Sequence, residues 1–308
     1  MASKKQPSLS AFSPSTKSNA FTIVELLVVI VVIGILAAIT IVSYSGITNR
    51  ATISSLQSDL TNASTTLKLD QIINSAFPAT LALANNGKGI TQSQSLDSII
   101  YIPDNTSNPN NFCLQYRKGT NTYAVDNNSP VSSGACLQNL VSNGDFSNGT
   151  TGWTNSGIPT ITTDSSLGRP SLKFVANGNN PYYVKNISSD QSHYWYTKLE
   201  CYISSYTSGG VSALDVRNSI QTVYANPLIL NQWQTLSIIT TGKTGGVESV
   251  FVGSANSLVT ATFYISNVST IDLTAAFGSG NEPTKAQMDT IMSTYPNSWF
   301  NITAKANL

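Results

Sequence analysis

One uninterrupted apolar stretch constrains this chain more than any other feature, the run FTIVELLVVIVVIGILAAITIV from Phe21 to Val42. Glu25 is its single charged residue, and Thr22 and Thr40 lie near its ends. As an α-helix the run would be roughly 33 Å long, which matches the hydrocarbon core of a bilayer. No comparable run occurs elsewhere in the sequence, so we predict one membrane-spanning helix over residues 21–42.

The position of Glu25 in an apolar run needs a physical explanation, because placing an ionised acid at the centre of a bilayer costs about 2.5–3.5 kcal/mol. One interpretation is that Glu25 lies near the helix end and reaches the interface at small cost. The other is that its carboxylate pairs with a cation. Cleavage after Ala20 would give Phe21 a new α-ammonium group, and Glu25 of a neighbouring subunit would neutralise it in an assembly of such helices.

Residues 1–20 contain Lys4, Lys5 and Lys17 and show no apolar periodicity, which predicts a leader. A secretory leader carries its apolar core before the cleavage site, whereas here the apolar run follows the proposed site and would be retained. The basic residues favour an orientation with the leader inside the cell. We therefore predict a single-pass membrane protein whose C-terminal part lies outside, at the cell surface.

The segment SNAFTIVELLVVIVVIGILAAIT, with its short basic leader, resembles the class III signal and N-terminal helix of type IV pilins and pseudopilins. This resemblance covers about residues 17–50. It implies that a prepilin peptidase cuts before Phe21 and methylates its amine, and that Glu25 registers subunits during assembly. The implied partners are this peptidase, the inner membrane before assembly and other pilin subunits in a homo- or hetero-filament. Ala20 stands where the family usually has glycine, and the proline that often follows the apolar run is absent.

After Val42 the chain becomes polar but keeps a helical rhythm. Apolar residues recur in steps of three and four at Ile53, Leu56, Leu60, Ala63 and Leu67. This spacing predicts an amphipathic helix over residues 47–76 that ends before Pro78. Strand-like pieces follow, and we expect the apolar face of the helix to cover the small antiparallel sheet that they form. Residues 43–138 would together be a pilin-like head.

The three cysteines allow one disulfide bond with one thiol left over. Cys113 and Cys136 flank a predicted hairpin of the head. A bond between them would close a loop of about 24 residues and stabilise the head by roughly 3–4 kcal/mol. The alternative is two buried thiols, which export disfavours. The pairing is similar to the C-terminal disulfide loop of pilin heads, and Cys201 would remain a buried free thiol.

From residue 139 to 274 the sequence reads as short alternating strands with Gly and Asn turns, which is typical of a β-sandwich or jelly roll. The opening NLVSNGDF with Gly152-Trp153, the later WQTL and the closing FYISNV resemble carbohydrate-binding jelly rolls of bacterial xylanases and cellulases. In residues 275–308, Thr284 is predicted to cap a short helix that packs against the sandwich. The predicted fold class is α+β: a long N-terminal helix on a small antiparallel sheet, followed by an all-β domain.

The jelly-roll resemblance implies two kinds of binding site. A structural calcium ion is common in that family, and Asp145 matches one of the positions that hold it. Asn267 stands where aspartate is common, and Ser147 stands where glutamate is common. Sugar binding requires aromatic rings on an open sheet face, and neighbours along a strand alternate between faces. The glycan-binding candidates are Tyr182, Tyr183, Tyr194, Trp195, Tyr196 and Tyr224, with Tyr202 considered beside them. Trp153 and Trp233 are predicted to lie in the core.

Composition argues against other classes of function. The 16 basic and 15 acidic residues leave a formal net charge of +1, so there is no electrostatic basis for nucleic-acid binding. The single histidine, His193, has no identifiable base or metal partner in the sequence, so we expect neither an enzyme nor a cofactor other than calcium.

The predicted function is a type IV pilin-like filament subunit that displays its jelly roll for adhesion and glycan binding. A minor or tip subunit is favoured, because the extra domain would crowd a shaft built of this chain alone. One alternative is a pseudopilin of a type II secretion or DNA-uptake machine. The other is a membrane-anchored lectin that never polymerises.

Overall fold

The structure is a computed structural model that describes residues 22–155, 161–177, 182–188, 190–208, 214–217, 229–242, 247–253 and 260–307. The chain divides into two compact units, Met1–Thr52 and Ile53–Leu308. The first helix, α1, runs from Ile23 to Asn74 and contributes to both units. The predicted leader, residues 1–20, lies outside the described residues.

In the first unit, the large apolar side chains of α1 from Ile23 to Ile41 are 48% to 84% exposed in the isolated chain. The helix satisfies its own backbone hydrogen bonds, as a segment in lipid must. Thr40 also donates its hydroxyl to the carbonyl oxygens of Leu36 (3.0 Å) and Ala37 (2.9 Å). The helix is long and apolar enough to cross a membrane, in agreement with the prediction.

In the second unit, the remainder of α1 carries the predicted apolar stripe. Leu56, Leu60 and Leu67 are completely buried, and Ala63 is 1% exposed. This stripe packs on side chains of the head sheet: Phe112, Leu114, Tyr116 and Val125. The helix ends at Asn74, and Ser75 reverses the chain with a φ of 58°.

The head sheet is antiparallel and, among the described residues, has five strands in the order β1-β2-β3-β4-β14. A 3-10 turn at Leu81–Leu83 and a single turn, α2 (Ala84–Gly87), precede the sheet. Four strands come from the predicted head: β1 (Ser98–Asp104), β2 (Asn111–Lys118), β3 (Asn121–Asp126) and β4 (Ser132–Gln138).

The fifth strand of the head sheet, β14 (Thr303–Asn307), comes from the C-terminus of the chain. It pairs antiparallel with β4, so that Thr303 lies opposite Gln138 and Asn307 opposite Gly134. Residues 275–308 were predicted to be a C-terminal helix and tail, and the pairing of residues 303–307 with the head sheet was not predicted. Pairing covers the otherwise open edge of β4 and buries Ala304 and Ala306, which favours the observed position.

Between β4 and β14 the chain forms a β-sandwich. Its described strands are β5 (Thr154–Asn155), β6 (Ile161–Asp164), β7 (Ser171–Asn177), β8 (Tyr182–Ser188), β9 (Tyr194–Ser208), β10 (Leu214–Arg217), β11 (Trp233–Thr241), β12 (Val247–Gly253) and β13 (Thr260–Asp272). They pair as an antiparallel four-stranded sheet, β10-β12-β8-β5, and an antiparallel five-stranded sheet, β11-β9-β13-β7-β6. The core between the sheets contains the stacked rings of Phe174 and Phe263, 4.8 Å apart, and the predicted core residue Trp153.

Two short helices follow the sandwich, α3 (Leu273–Phe277) and α4 (Lys285–Ser293). Thr284 and Gln287 form a capping box at the start of α4, as the predicted cap at Thr284 requires. Met288 and Met292 are buried on one side of α4. They belong to a hydrophobic cluster shared by the head, the sandwich and the C-terminal segment, which includes Leu137, Tyr196, Ile271, Leu273, Ala304 and Ala306.

Buried amide side chains join these three parts. Gln115 of β2 accepts a hydrogen bond from the Cys136 amide (2.7 Å) and donates one to the Ala276 carbonyl (2.9 Å). Asn139, which follows β4, accepts from the Thr270 amide (3.2 Å) and donates to the Phe300 carbonyl (3.1 Å). The sandwich is therefore an insertion into the head sheet that is fixed at both of its connections.

Candidate functional sites

The first candidate site is the N-terminus of α1. The Thr22 amide and hydroxyl donate to the Glu25 carboxylate over 2.9 and 2.8 Å, and the Glu25 amide donates to the Thr22 hydroxyl over 3.2 Å. This reciprocal arrangement is a capping box, which satisfies amide groups that have no partner within the helix. The Thr-x-x-Glu spacing in the sequence is typical of a capping box, but this role of Glu25 was not predicted.

The Glu25 carboxylate can accept more hydrogen bonds than the capping box uses. A carboxylate can accept about four hydrogen bonds, and Thr22 supplies two. The remaining capacity and the negative charge are available to a cation. Ala20 and Phe21, the predicted processing residues, lie outside the described residues.

The head contains the predicted disulfide bond. Cys113 and Cys136 are joined, with 5.7 Å between their Cα atoms and a sequence separation of 23. Both are buried, so the bond ties β2 to β4 inside the head. Cys201 is a buried free thiol, and burial raises its pKa to about 12.

The structure separates the predicted glycan-binding residues into buried and accessible ones. Tyr183, Trp195 and Tyr196 are 8%, 3% and 0% exposed. The first two pack in the core between the sheets, and Tyr196 packs in the cluster that includes the α4 methionines. Because their rings are covered by protein, the prediction of sugar stacking is wrong for these three. Tyr182 is half-buried and Tyr194 is 47% exposed, whereas Tyr224 lies outside the described residues.

The C-terminal segment explains why Tyr196 is covered. The Asp289 carboxylate on α4 accepts hydrogen bonds from the hydroxyl groups of Tyr196 (2.8 Å) and Ser237 (2.6 Å). Lys198, two residues further along β9 on the same sheet face, is completely buried. Burial lowers the pKa of Lys198 to about 8, although the nearby Glu200 and Asp289 carboxylates oppose this shift.

Further along the same outer face, three aromatic residues form a row across neighbouring strands. The register places Tyr202 opposite both Trp233 and Tyr264. Ring centroids are 5.6 Å apart for Tyr202 and Trp233, and 5.9 Å apart for Tyr202 and Tyr264. Tyr202 and Trp233 are half-buried, so the predicted core position of Trp233 is wrong. Strand alternation puts Trp233 on the face opposite to the core residue Leu236.

Two cations lie against this aromatic row. The Arg169 guanidinium is 4.2 Å from the centroid of the Trp233 ring, and the Lys173 ammonium is 5.6 Å from that of Tyr264. Arg169 also forms an ion pair with Glu200. Tyr264 itself is buried, so the row offers the partly exposed rings of Tyr202 and Trp233 together with positive charge. This combination suits a ligand that has apolar faces and polar or anionic groups. The sequence could not reveal it, because its members meet only through strand register.

The two predicted calcium positions are neighbours in the backbone but have separate partners. The Val268 amide donates to the Gly144 carbonyl over 2.9 Å, which brings the residues next to them, Asp145 and Asn267, to adjacent segments. Asp145 accepts from the Ser147 hydroxyl (3.0 Å). Asn267 donates its amide hydrogens to the Glu200 carboxylate (2.9 Å) and the Asn297 carbonyl (3.3 Å). These contacts do not test calcium binding, which stays a prediction.

A cleft of about 520 Å³ lies at the start of β9, with Tyr194 in its lining. The adjacent His193 donates a hydrogen bond of 2.7 Å from Nδ1 to the Asp272 carboxylate, whose other oxygen caps α3 by accepting from the Ala275 amide. His193 thus has an acidic partner, which lies 79 residues away in the sequence and was not predicted. Its contact with Asp272 fixes the junction between β13 and the C-terminal segment.

The described part of the chain combines a membrane-length helix, which can serve as an anchor, with a small disulfide-bonded head and an inserted β-sandwich. Comparison with known proteins adds the type of anchor. Residues 15–41 match the family described as the prokaryotic N-terminal methylation motif, the signal of type IV pilins. The chain therefore begins like a type IV pilin. No curated protein matches the chain.

Several solved structures are similar to part of the chain. The enzymatically active domain of bacteriophage CBA120 tailspike protein 4 is 16% identical, with a TM-score of 0.31, over 44% of this chain and 21% of that one. TmCBM61, solved with β-1,4-galactotriose, is 12% identical, with a TM-score of 0.30, over 44% and 99%. The family 11 carbohydrate-binding module from Clostridium thermocellum is 12% identical, with a TM-score of 0.29, over 46% and 96%. The sandwich fold of this chain is defined by its own strand pairing, and those ligands belong to those proteins.

Proposed function

We propose that this protein is a subunit of a type IV pilus-like filament. The match of residues 15–41 to the N-terminal methylation motif supports this most strongly. In this proposal a prepilin peptidase cleaves before Phe21 and methylates the new amine. The processed subunit resides in the inner membrane with its C-terminal part outside, and it then assembles with other pilin subunits.

The exposure of α1 supports assembly. Its apolar side chains are too numerous for a helix in water, and a contiguous apolar surface of this kind marks a site of membrane or protein contact. Lipid covers this surface before assembly, and neighbouring α1 helices cover it in the filament. Glu25 then supplies the negative charge that pairs with the Phe21 amine of a neighbouring subunit.

The inserted sandwich favours a minor or tip position. Because both of its connections join strands of the head sheet, the sandwich is a fixed projection of the head. A shaft built only of this chain would have to accommodate one such projection at every subunit, which crowds the shaft surface. A tip subunit meets no such restriction and presents the sandwich to the surroundings.

We assign the sandwich an adhesive role with glycans as its ligands. The partly exposed rings of Trp233 and Tyr202 in the aromatic row support this, since stacking of sugar faces on aromatic rings is a common mode of glycan recognition. Glycan-array binding of the full chain in detergent tests it. Trp233→Ala should abolish binding of neutral glycans, and Tyr123→Ala in the head serves as the aromatic control. A wild-type protein that binds no glycan would contradict the ligand assignment.

The filament proposal is tested by separating the two functions of Glu25. Glutamine retains the oxygen that a capping box requires but carries no charge. Glu25→Gln should therefore insert into the membrane as the wild type does, yet be absent from filaments sheared from the cell surface. Glu25→Ala should also be absent. Normal incorporation of Glu25→Gln would contradict the charge-pairing proposal.

The two alternatives give other outcomes in the same experiment. A pseudopilin would be processed before Phe21 but would stay out of long surface filaments. A membrane-anchored lectin would be indifferent to the change at Glu25.

A further inference from the structure

The cleft at the start of β9 has a mixed lining with one carboxylate. Its volume is about 520 Å³. The lining includes apolar side chains of Tyr194, Ile239 and Leu273, and polar side chains of Ser279, Glu282 and Thr284. Tyr194 is 47% exposed, so its ring is accessible at the cleft. A ring beside polar groups suits a ligand with both an apolar face and hydrogen-bonding groups.

The Glu282 carboxylate is held in place by two hydrogen bonds. The Thr274 hydroxyl donates to one oxygen and the Gly280 amide to the other, each over 2.7 Å. The same Thr274 hydroxyl accepts from the Tyr194 amide (3.0 Å), which couples the position of the carboxylate to β9. Each oxygen keeps capacity for a further donor. The carboxylate is thus positioned before any ligand arrives.

Glu282 is ionised at neutral pH. Burial alone would raise its pKa, but the hydrogen bonds from the Thr274 hydroxyl and from the Glu282 and Gly280 amides, together with the charge of His193, outweigh burial and hold the pKa below its usual value of 4.5. No lysine or arginine of the described residues comes within 4.0 Å of this carboxylate. The ammonium group of Lys285, close in sequence, is paired with Asp289 at 2.7 Å.

The charge at the cleft comes from Glu282, the one charged side chain among the described residues that line it. His193 lies outside this lining, and its own contacts are the carboxylates of Asp272 (2.7 Å) and Asp190 (4.0 Å). The negative charge of Glu282 favours a cationic ligand group.

We propose that this cleft binds an amino sugar with a free primary amine. The ammonium group pairs with Glu282, the apolar face of the sugar ring lies on Tyr194, and Ser279 bonds a sugar hydroxyl. A sugar is favoured over the lysine of a peptide for two reasons. The exposed Tyr194 ring can stack on the apolar face of a sugar, and the Ser279 hydroxyl can bond to a sugar hydroxyl. The inference rests on the adhesive role of the proposed function, but neither on filament assembly nor on the Trp233 row.

The test is calorimetric titration of the full chain in detergent at pH 7 and low salt. The probes are glucosamine, glucose, N-acetylglucosamine and cadaverine. Glucosamine should bind at least tenfold more tightly than the two neutral sugars, because only it places a charge-assisted bond on Glu282. Added salt should weaken the binding of glucosamine, because it screens the charge of Glu282. Equal binding of glucosamine and glucose, or tighter binding of cadaverine, would overturn the proposal.

Amino-acid substitutions test which residues form the binding site. Glu282→Gln should weaken glucosamine binding about tenfold or more. Tyr194→Ala should also weaken it, and it disturbs no side-chain hydrogen bond of Glu282. Asp97→Asn is the matched control, since Asp97 also accepts a backbone bond, from the Gly119 amide at 2.7 Å. If Trp233→Ala abolishes glucosamine binding and Glu282→Gln does not, the aromatic row binds the sugar. In that case the cleft assignment is wrong while the adhesive role stands.

Discussion

Lys305 of β14 lies opposite Cys136 of β4, although the whole sandwich separates these two residues in the sequence. The head sheet is therefore completed by the last strand of the chain. Cys136 is at the same time bonded to Cys113, so the C-terminal strand pairs directly with the strand that carries the disulfide. The stability of the head sheet therefore depends on the C-terminal segment that follows the sandwich.

Removal of the C-terminal strand should destabilise the head. A chain ending at Ile302 loses the pairing with β4 and the buried contacts of Ala304 and Ala306. We expect a loss of about 2 kcal/mol or more from these contacts. For a unit of this size the corresponding fall in Tm is roughly 4–8 °C.

Hydrogen exchange checks the location of this effect. The amides of β4 should exchange faster in the shortened chain, while those of β9 change less. Removal of Asn307 and Leu308 alone is the control, because it leaves Thr303 to Ala306 in place. Unchanged Tm and unchanged exchange in β4 would contradict the role of β14.

Thiol labelling distinguishes the three cysteines. Burial raises the pKa of Cys201 to about 12, so little thiolate is present at pH 8 and iodoacetamide should not react with the native protein. After unfolding without reductant one site should be labelled, and after unfolding with reductant three. Mass spectrometry counts the labels. Labelling of the native protein, or of three sites without reductant, would contradict the burial or the disulfide.

Lys198 should make stability depend on pH. Its pKa is about 8 in the folded chain because of burial, against an ordinary value of 10.5. Between these two pH values the unfolded state binds more protons than the folded state, so stability rises with pH across this window. Below pH 8 both states carry the charge, and its burial destabilises the fold.

The measurement is denaturant unfolding of the wild type and Lys198→Met from pH 7 to 10. The stability of the wild type relative to this variant should rise by about 1–3 kcal/mol over that range. Lys88→Met, at an exposed position, is the control and should follow the wild-type profile. A constant difference between the wild type and Lys198→Met would contradict burial of a charged lysine.

Local patterns predicted the helical parts of this protein well. The stripe at Leu56, Leu60 and Leu67 and the cap at Thr284 depend on neighbours within a few residues, and the structure has both. The disulfide followed from the positions of Cys113 and Cys136 around a hairpin. These features need no knowledge of distant contacts.

Contacts between distant segments could not be predicted. Strand alternation put Tyr194 and Tyr196 on one face of β9, but only the fold shows that Asp289 of α4 lies over Tyr196 and leaves Tyr194 exposed. The same holds for β14. Its short sequence TAKAN does not predict a position, and the strand lies in the head sheet because it pairs with the otherwise open edge of β4. The aromatic row and the Glu282 cleft likewise arise from register and loop packing.

The mature N-terminus tests the central claim most directly. Protein recovered from sheared surface filaments would be analysed by N-terminal sequencing and intact mass measurement. The account predicts a chain that begins at Phe21 with a methylated amine, so that Glu25 of a neighbouring subunit has a cation to pair with. A mature chain that still begins at Met1 would contradict it.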